Sequence, residues 1–258
     1  MRKEGDYCFP FAAYEKKLRS LAARNADDRL FLATAAVAGA KPAVEIFDWF
    51  QRVSVFNMQS DSLRSNMVPI LIARIQADKN HSMKEFLCTL LHEADINICD
   101  YFLVGEGDTA ELRLVHNVVE GLYVDEKVDA SLRLEDESEG TINLLLLGIM
   151  LEWAFEEGRT LFLDNFDTHF HPLLVCHLVR LFQDPEINRA NAQLIFSARM
   201  TELLSPRVLR RDEIYFVDKD RNTGASHCYS LQEIEPTPRK DIRKAYLTGR
   251  YGAVPNVN

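Results

Sequence analysis

The sequence is poor in the residues that build phosphate loops, disulfide frameworks and membrane spans. Its 258 residues include 11 glycines. None belongs to a G-x-x-x-x-G-K-[ST] run, the loop whose backbone N–H groups and lysine cradle phosphates. The nearest stretch, Gly105-Glu106-Gly107-Asp108-Thr109, is acidic and would repel phosphate. The five cysteines, Cys8, Cys88, Cys99, Cys176 and Cys228, are widely spaced and contain no CxxC pair. That argues against a disulfide framework or a zinc site and for reduced thiols. No apolar run reaches the roughly 20 residues needed to cross a bilayer. The longest, Leu144–Met150, lies inside a helical pattern. The N-terminal MRKEGDYCFPF has no apolar signal-peptide core. The expectation is a cytoplasmic protein with no membrane partner.

An excess of positive charge is also lacking. Lys and Arg number 30 against 39 Asp and Glu, a formal net charge of -9. This balance disfavours a broad nucleic-acid-binding surface. Basic residues do gather at Arg210 and Arg211, and again at Arg239, Lys240, Arg243, Lys244 and Arg250. They read as a solvated helix face rather than a phosphate patch. No nuclease motif stands out.

What is present is a long supply of apolar residues, 47% of the chain, enough for a sizeable core. Residues 1–95 read as mostly helical. Helices are expected over about 11–25, up to Gly39, over 42–51, 61–78 and 81–94, with a short strand at Val53–Phe56. The texture then changes. Strands are expected at Ile98–Val104, Glu111–Asn117 and Leu122–Val124. From residue 138 helix and strand alternate, which indicates βαβ units and a parallel sheet. Gly140–Glu156 is a helix stopped by Gly158, and Thr160–Leu163 an apolar strand suited to a sheet covered on both faces. His171–Phe182 is a helix, Gln193–Ser197 a buried strand, and Glu213–Val217 and Ser226–Leu231 a terminal pair. The simplest organisation is a helical region, 1–95, joined to an α/β lobe, 96–258, in one compact domain.

Three segments carry candidate chemistry. In TLFLDNFDTHFHP, residues 160–172, an apolar strand ends on Asp164, at the edge where open α/β sheets place ligands. An aspartate there either helps to hold a metal ion or caps the next turn. Asn165 follows, and an amide can bond a water but cannot take its proton. In SEGT, Ser138 to Thr141, a glycine and two hydroxyls open a long apolar helix. They either offer free N–H groups to an anion or form an ordinary cap. In NAQLIFSARM, residues 191–200, a buried strand ends at Ser197-Ala198-Arg199. Arg199 is either a fixed cation for a phosphate or a plain surface arginine.

The series of pieces resembles the prokaryotic ABC/SMC-like ATPases of the AAA-type ATP/GTP phosphatase kind, many of them from abortive-infection and other anti-phage systems. The residues that carry the resemblance are Glu137-Ser138, Gly140-Thr141, Asp164, Asp167, His171-Pro172, Arg210-Arg211-Asp212 and the run AYLTGRYGAVP from Ala245 to Pro255. It is strong over about 130–255 and weaker over 29–56. It implies a partial P-loop NTPase fold of the ABC head kind: α/β, a parallel sheet, a helical N-terminal part and a small antiparallel element. It implies ATP and Mg2+ as cofactors, with Asp164 as the metal-holding (Walker B) aspartate. It implies Ser138, Gly140, Thr141 and Asp167 as nucleotide-side residues, the first three forming a signature motif. Heads of this kind pair face to face, so self-association is implied.

The departures are equally specific. Asn165 stands where such proteins have a catalytic Glu, His169 where they have Ser, and Arg199 where they have a switch His. Their phosphate loop comes first, so the chain resembles a member without its N-terminal lobe. Three functions follow as expectations. One is a degenerate, regulatory lobe with no nucleotide turnover of its own, acting with an effector. Another is half of a split ATPase whose phosphate loop another chain supplies. The third is a metal-dependent hydrolase using Asp164, Asp167, His169 and His171.

Overall fold

The computed structural model describes residues 2–3, 6–7, 15–25, 29–94, 97–117, 130–234 and 241–255. The chain divides into two compact units, Met1–Ser54 and Val55–Asn258. The first holds a two-stranded antiparallel pair, β1 (Arg2–Lys3) and β2 (Asp6–Tyr7), and helices α1 (Glu15–Ala22), α2 (Phe31–Val37) and α3 (Lys41–Gln51). Pro42 sits in the first turn of α3, where its missing N–H costs nothing. Strand β3 (Val53–Asn57) crosses the boundary into the second unit.

The second unit continues with α4 (Asp61–Ala77), α5 (Ser82–Glu93), β4 (Ile98–Val104), β5 (Glu111–His116), β6 (Ser131–Arg133) and α6 (Glu139–Glu157). Then come β7 (Thr160–Asp164), α7 (Pro172–Gln183), β8 (Gln193–Phe196), β9 (Tyr215–Lys219), β10 (Ser226–Ser230) and α8 (Ile242–Leu247). The class is mixed α/β. One sheet runs β3-β7-β8, with β7 and β8 parallel, and another runs β4-β5-β6, antiparallel throughout. The third is the β9–β10 hairpin. The expected strand at Leu122–Val124 lies outside the described residues. Among the described residues, no helix is long and apolar enough to cross a membrane.

Helix α6 is the axis of the core. Leu144, Leu145, Leu146, Leu147, Ile149, Met150 and Leu151 point in all directions around it and are all buried. A helix apolar on every side must be enclosed, and α4, α5, β7 and α7 contribute residues to the same cluster. Gly148 sets the approach of α5. A Cβ added there would stand 2.5 Å from Leu87 Cδ2. The helix stops at Gly158, in the left-handed conformation, as its sequence predicts.

The β7–β8 register pairs Leu161 with Leu194, Phe162 with Ile195 and Leu163 with Phe196. Side chains alternate across a strand, so the Leu161 and Leu163 rows meet the core. The Phe162–Ile195 row faces the other way. Phe162 is half-buried and Ile195 is 48% exposed. The apolar composition of β7 predicts cover on both faces. The structure shows one face covered and the other partly open, with Ile195 about half exposed.

Candidate functional site at the strand tips

The carboxyl ends of β3, β7 and β8 bring six polar residues together: Asn57, Asp164, Asn165, Asp167, Ser197 and Arg199. Strand pairing does the positioning. The Met58 N–H donates to the Asp164 carbonyl (2.9 Å), and the Phe166 N–H to the Ser197 carbonyl (3.0 Å). Phe166, fully buried and ring-to-ring with Phe196, anchors the turn that leaves β7. Asn165 takes a left-handed backbone there, φ 56°. Asparagine tolerates that conformation better than most residues.

Both carboxylate oxygens of Asp164 already have protein donors. The Ser197 hydroxyl donates to Oδ1. Asn165 Nδ2 donates to Oδ2 at 3.2 Å. The Asn165 N–H in turn donates to Ser197 Oγ at 2.9 Å. Arg199 Nη2 donates to Asn165 Oδ1 at 3.2 Å. Residues 165 and 199 are thus bonded to each other. Asn57 Oδ1 lies 3.5 Å from Asn165 Nδ2 and accepts the Gln59 N–H at 2.9 Å. Neither Asn57 nor Ser197 carries a signal in sequence, since a lone polar residue ending a strand is common.

Asp167 faces the same cluster from the turn. Its Oδ2 accepts the backbone N–H groups of Arg199 (2.8 Å) and Met200 (2.9 Å). Its Oδ1 is buried with no hydrogen-bond partner among the described residues. A buried unpaired carboxylate oxygen is costly, so this atom marks a place where a donor would be favourable.

Ser138, Gly140 and Thr141 form a second group at the start of α6. Ser138 Oγ accepts the Thr141 N–H at 3.1 Å and lies 2.8 Å from Thr141 Oγ1. Ser138 is therefore a working N-cap. Gly140 lies against the turn after β7, since a Cβ added there would sit 3.8 Å from the His169 carbonyl oxygen. Glu137, just before the cap, is tied by its Oε1 to His116 Nε2 of β5 at 2.6 Å. His171 Nδ1 accepts the Leu173 N–H at 3.2 Å and caps α7. Among the described residues, no three His, Cys, Asp or Glu side chains come together as metal ligands. Asp164, Asp167, His169 and His171 are therefore not brought into one cluster.

Arg210, Arg211 and Arg243 have structural partners. Arg211 Nη2 donates to the Leu231 (3.0 Å) and Ile234 (3.2 Å) carbonyls. Arg210 pairs with Asp212 and Glu213, and Arg243 with Glu202. Arg239 and Lys240 lie outside the described residues.

Over residues 19–197 the chain matches the family described as "AAA domain, putative AbiEii toxin, Type IV TA system". The protein belongs to this AAA-domain family. No curated protein matches it. The matched stretch reaches from α1 to Ser197 and so includes the Ser138 cap and Asp164, but not Arg199 or the β9–β10 hairpin. Membership in an AAA-domain family implies an ATPase-like domain and the use of nucleotide with Mg2+. The residues present do not by themselves form such a site. They offer one strand-tip carboxylate already bonded on both oxygens, an amide beside it, and no G-x-x-x-x-G-K-[ST] run among the 258 residues.

Proposed function

We propose that this chain is an AAA-family, ATPase-like lobe that neither binds nor turns over ATP by itself and serves, in a toxin or abortive-infection context, as a regulatory and interaction module whose nucleotide dependence comes from nucleotide held by a partner. The observation that carries this reading is the closed chain of contacts from Ser197 through Asp164 and Asn165 to Arg199. The position next to the strand-tip aspartate holds an amide, which can orient a water but cannot deprotonate it. Arg199 is committed to that amide. Losing one preorganised catalytic group typically costs about a hundredfold or more in rate, and the phosphate loop is absent from these residues as well.

The test is calorimetry and steady-state hydrolysis on the isolated chain with Mg-ATP. The expected result is no binding above background and no phosphate release. Micromolar binding by the chain alone would sink the reading. Asn165→Glu is expected to leave hydrolysis undetectable, because the new carboxylate faces Arg199 and no phosphate loop is gained.

A second reading, half of a split ATPase, is favoured by the open edge of β8. In that case a phosphate-loop-bearing chain mixed with this one would restore hydrolysis that neither shows alone.

A further inference from the structure

Helix α3 is apolar around most of its circumference and covered on only part of it. On a helix, Ile46, Trp49 and Phe50 share one side, while Val44 and Phe47 lie round the other. Val44 and Phe47 are half-buried, and α2 packs against α3. Ile46, Trp49 and Phe50 are 49%, 46% and 55% exposed, and no residue of α3 is fully buried. A helix with one apolar stripe turns it to the core, so a second apolar stripe asks for a second neighbour. Among the described residues, Trp49 and Phe50 are the only exposed tryptophan and phenylalanine. Their rings already stand edge to face, 4.9 Å between centroids and 75° apart. Scattered exposed aliphatic residues are ordinary, whereas aromatics held in a fixed arrangement are the usual anchors of an interface.

The charges beside this face define the neighbour. Lys41, Glu45, Asp48 and Arg52 follow one another down a single side of α3, next to Trp49, in the order plus, minus, minus, plus. All four are exposed, and none has an ion-pair partner among the described residues. A second copy of α3 fits badly. Antiparallel pairing in full overlap sets Lys41 against Arg52 and Glu45 against Asp48, and parallel pairing sets each charge against itself. Both arrangements put like charges together, which costs affinity. A lipid surface fits badly too. Interfacial helices hold to it with an excess of Lys and Arg on the polar face, and here the four charges cancel. The complementary row reads acidic, basic, basic, acidic, on a helix with an apolar stripe of its own.

We infer that the Ile46–Trp49–Phe50 face of α3 is the docking surface for an amphipathic helix of a different protein. The partner's apolar stripe covers these three side chains. The flank beside that stripe carries two basic residues at its middle and acidic residues at its ends. The mode is helix against helix, with anchors at i, i+3 and i+4. The charges set which partner is accepted and in what register, while Trp49 and Phe50 supply most of the affinity. Docking of this kind needs no nucleotide and goes beyond the function proposed above.

The test uses the full chain without nucleotide. The probe is a synthetic amphipathic helix of about three heptads with a leucine stripe, two lysines at its middle and glutamates at its ends. A charge-swapped twin carries the glutamates at the middle and the lysines at the ends. The first peptide is expected to bind saturably in calorimetry, at least tenfold tighter than the twin, with the gap closing as salt is raised. Glu45→Lys combined with Asp48→Lys is expected to reverse that order. Phe50→Ala should weaken binding at least tenfold and leave the circular dichroism and melting temperature unchanged, since the residue is more than half exposed. Val217→Lys, on the exposed side of the β9–β10 hairpin, should leave binding intact. Equal binding of the two peptides, no binding, or indifference to Phe50→Ala would overturn the inference. So would a dimer of the chain alone that Phe50→Ala dissolves, because a second copy would then be the occupant. Binding to phosphatidylserine vesicles that Phe50→Ala abolishes would overturn it as well, in favour of a lipid surface. ATP binding enters none of these outcomes, so failure here leaves the functional reading standing, and a chain that binds Mg-ATP unaided leaves the α3 face standing.

Discussion

Two small sheets of this protein solve the same problem differently. The β9–β10 hairpin is completed from within its own chain. Phe216 on its inner face stacks on Tyr246 (5.3 Å between centroids) and Tyr251 (5.8 Å), both from the C-terminal segment. The Tyr229 hydroxyl donates to the Tyr251 carbonyl at 2.6 Å, and the Tyr246 hydroxyl to the Ala253 carbonyl at 3.0 Å. Its outer face does show Tyr215 and Val217, but β9 also carries Asp218 and Lys219. Among the described residues the β3-β7-β8 sheet shows no such stacked closure at Ile195, which is about half exposed, and β8 carries no charge. Exposure of a single apolar residue is ordinary. An uncharged parallel edge joined to a half-exposed apolar row is less usual.

Four measurements would break or sharpen this contrast. The largest effect is expected from Phe216→Ala, which empties the hairpin's closed face and should cost about 3–5 kcal/mol in urea unfolding. A loss below about 1 kcal/mol would mean that the stacked cluster closes nothing. Next is Gly252→Ala. Gly252 has φ +73°, and an added Cβ would meet Tyr229 Oη at 2.8 Å. A cost of about 1–2 kcal/mol is expected from the backbone strain alone, and an unchanged midpoint would show that the C-terminal clasp adapts freely.

A smaller effect belongs to the hairpin tip. Asp220 accepts the Asn222 and Thr223 N–H groups and the Thr223 hydroxyl, and these bonds hold its carboxyl below the usual aspartate range. A depressed carboxylate contributes stability above its unfolded value and loses it as pH falls through its folded value. Amides of the 220–225 turn should therefore exchange faster, relative to the intrinsic rate, below about pH 4. Asp220→Asn should abolish that pH dependence, and its persistence would assign it to another group. The smallest effect is Ile195→Ser, expected within about 0.5 kcal/mol in the isolated chain because the side chain is half exposed. A loss of 2 kcal/mol or more would show that Ile195 is already covered.

Much of the fold was legible because local and tertiary preferences agree. The run of leucines bounded by Ser138 and Gly158 could only be an enclosed helix, and Thr160–Asp164 a buried strand. The three residues of β6 are too few for a period to show. Helix α8 mixes basic residues with aromatic ones that serve the hairpin, so its periodicity is weak. At the site, Asp164, Asn165 and Arg199 were visible because they interrupt an apolar pattern at strand ends. Ser197 and Asn57 were not, because their role comes from pairing across strands. The open face of β7–β8 was hidden for the same reason. Composition reports what a strand is suited to, and only the arrangement of neighbours reports what covers it.

The left-handed backbone at Asn165 makes the strand tips selective about what side chain can stand there. Asparagine holds φ 56° with little strain, and its two-headed amide bridges a carboxylate and a guanidinium at once. A glutamate in its place would add roughly 1 kcal/mol of backbone strain, release the amide's grip on Asp164 Oδ2 and draw Arg199 into an ion pair. A proton-accepting side chain at 165 therefore requires changes in the backbone turn and at position 199 together.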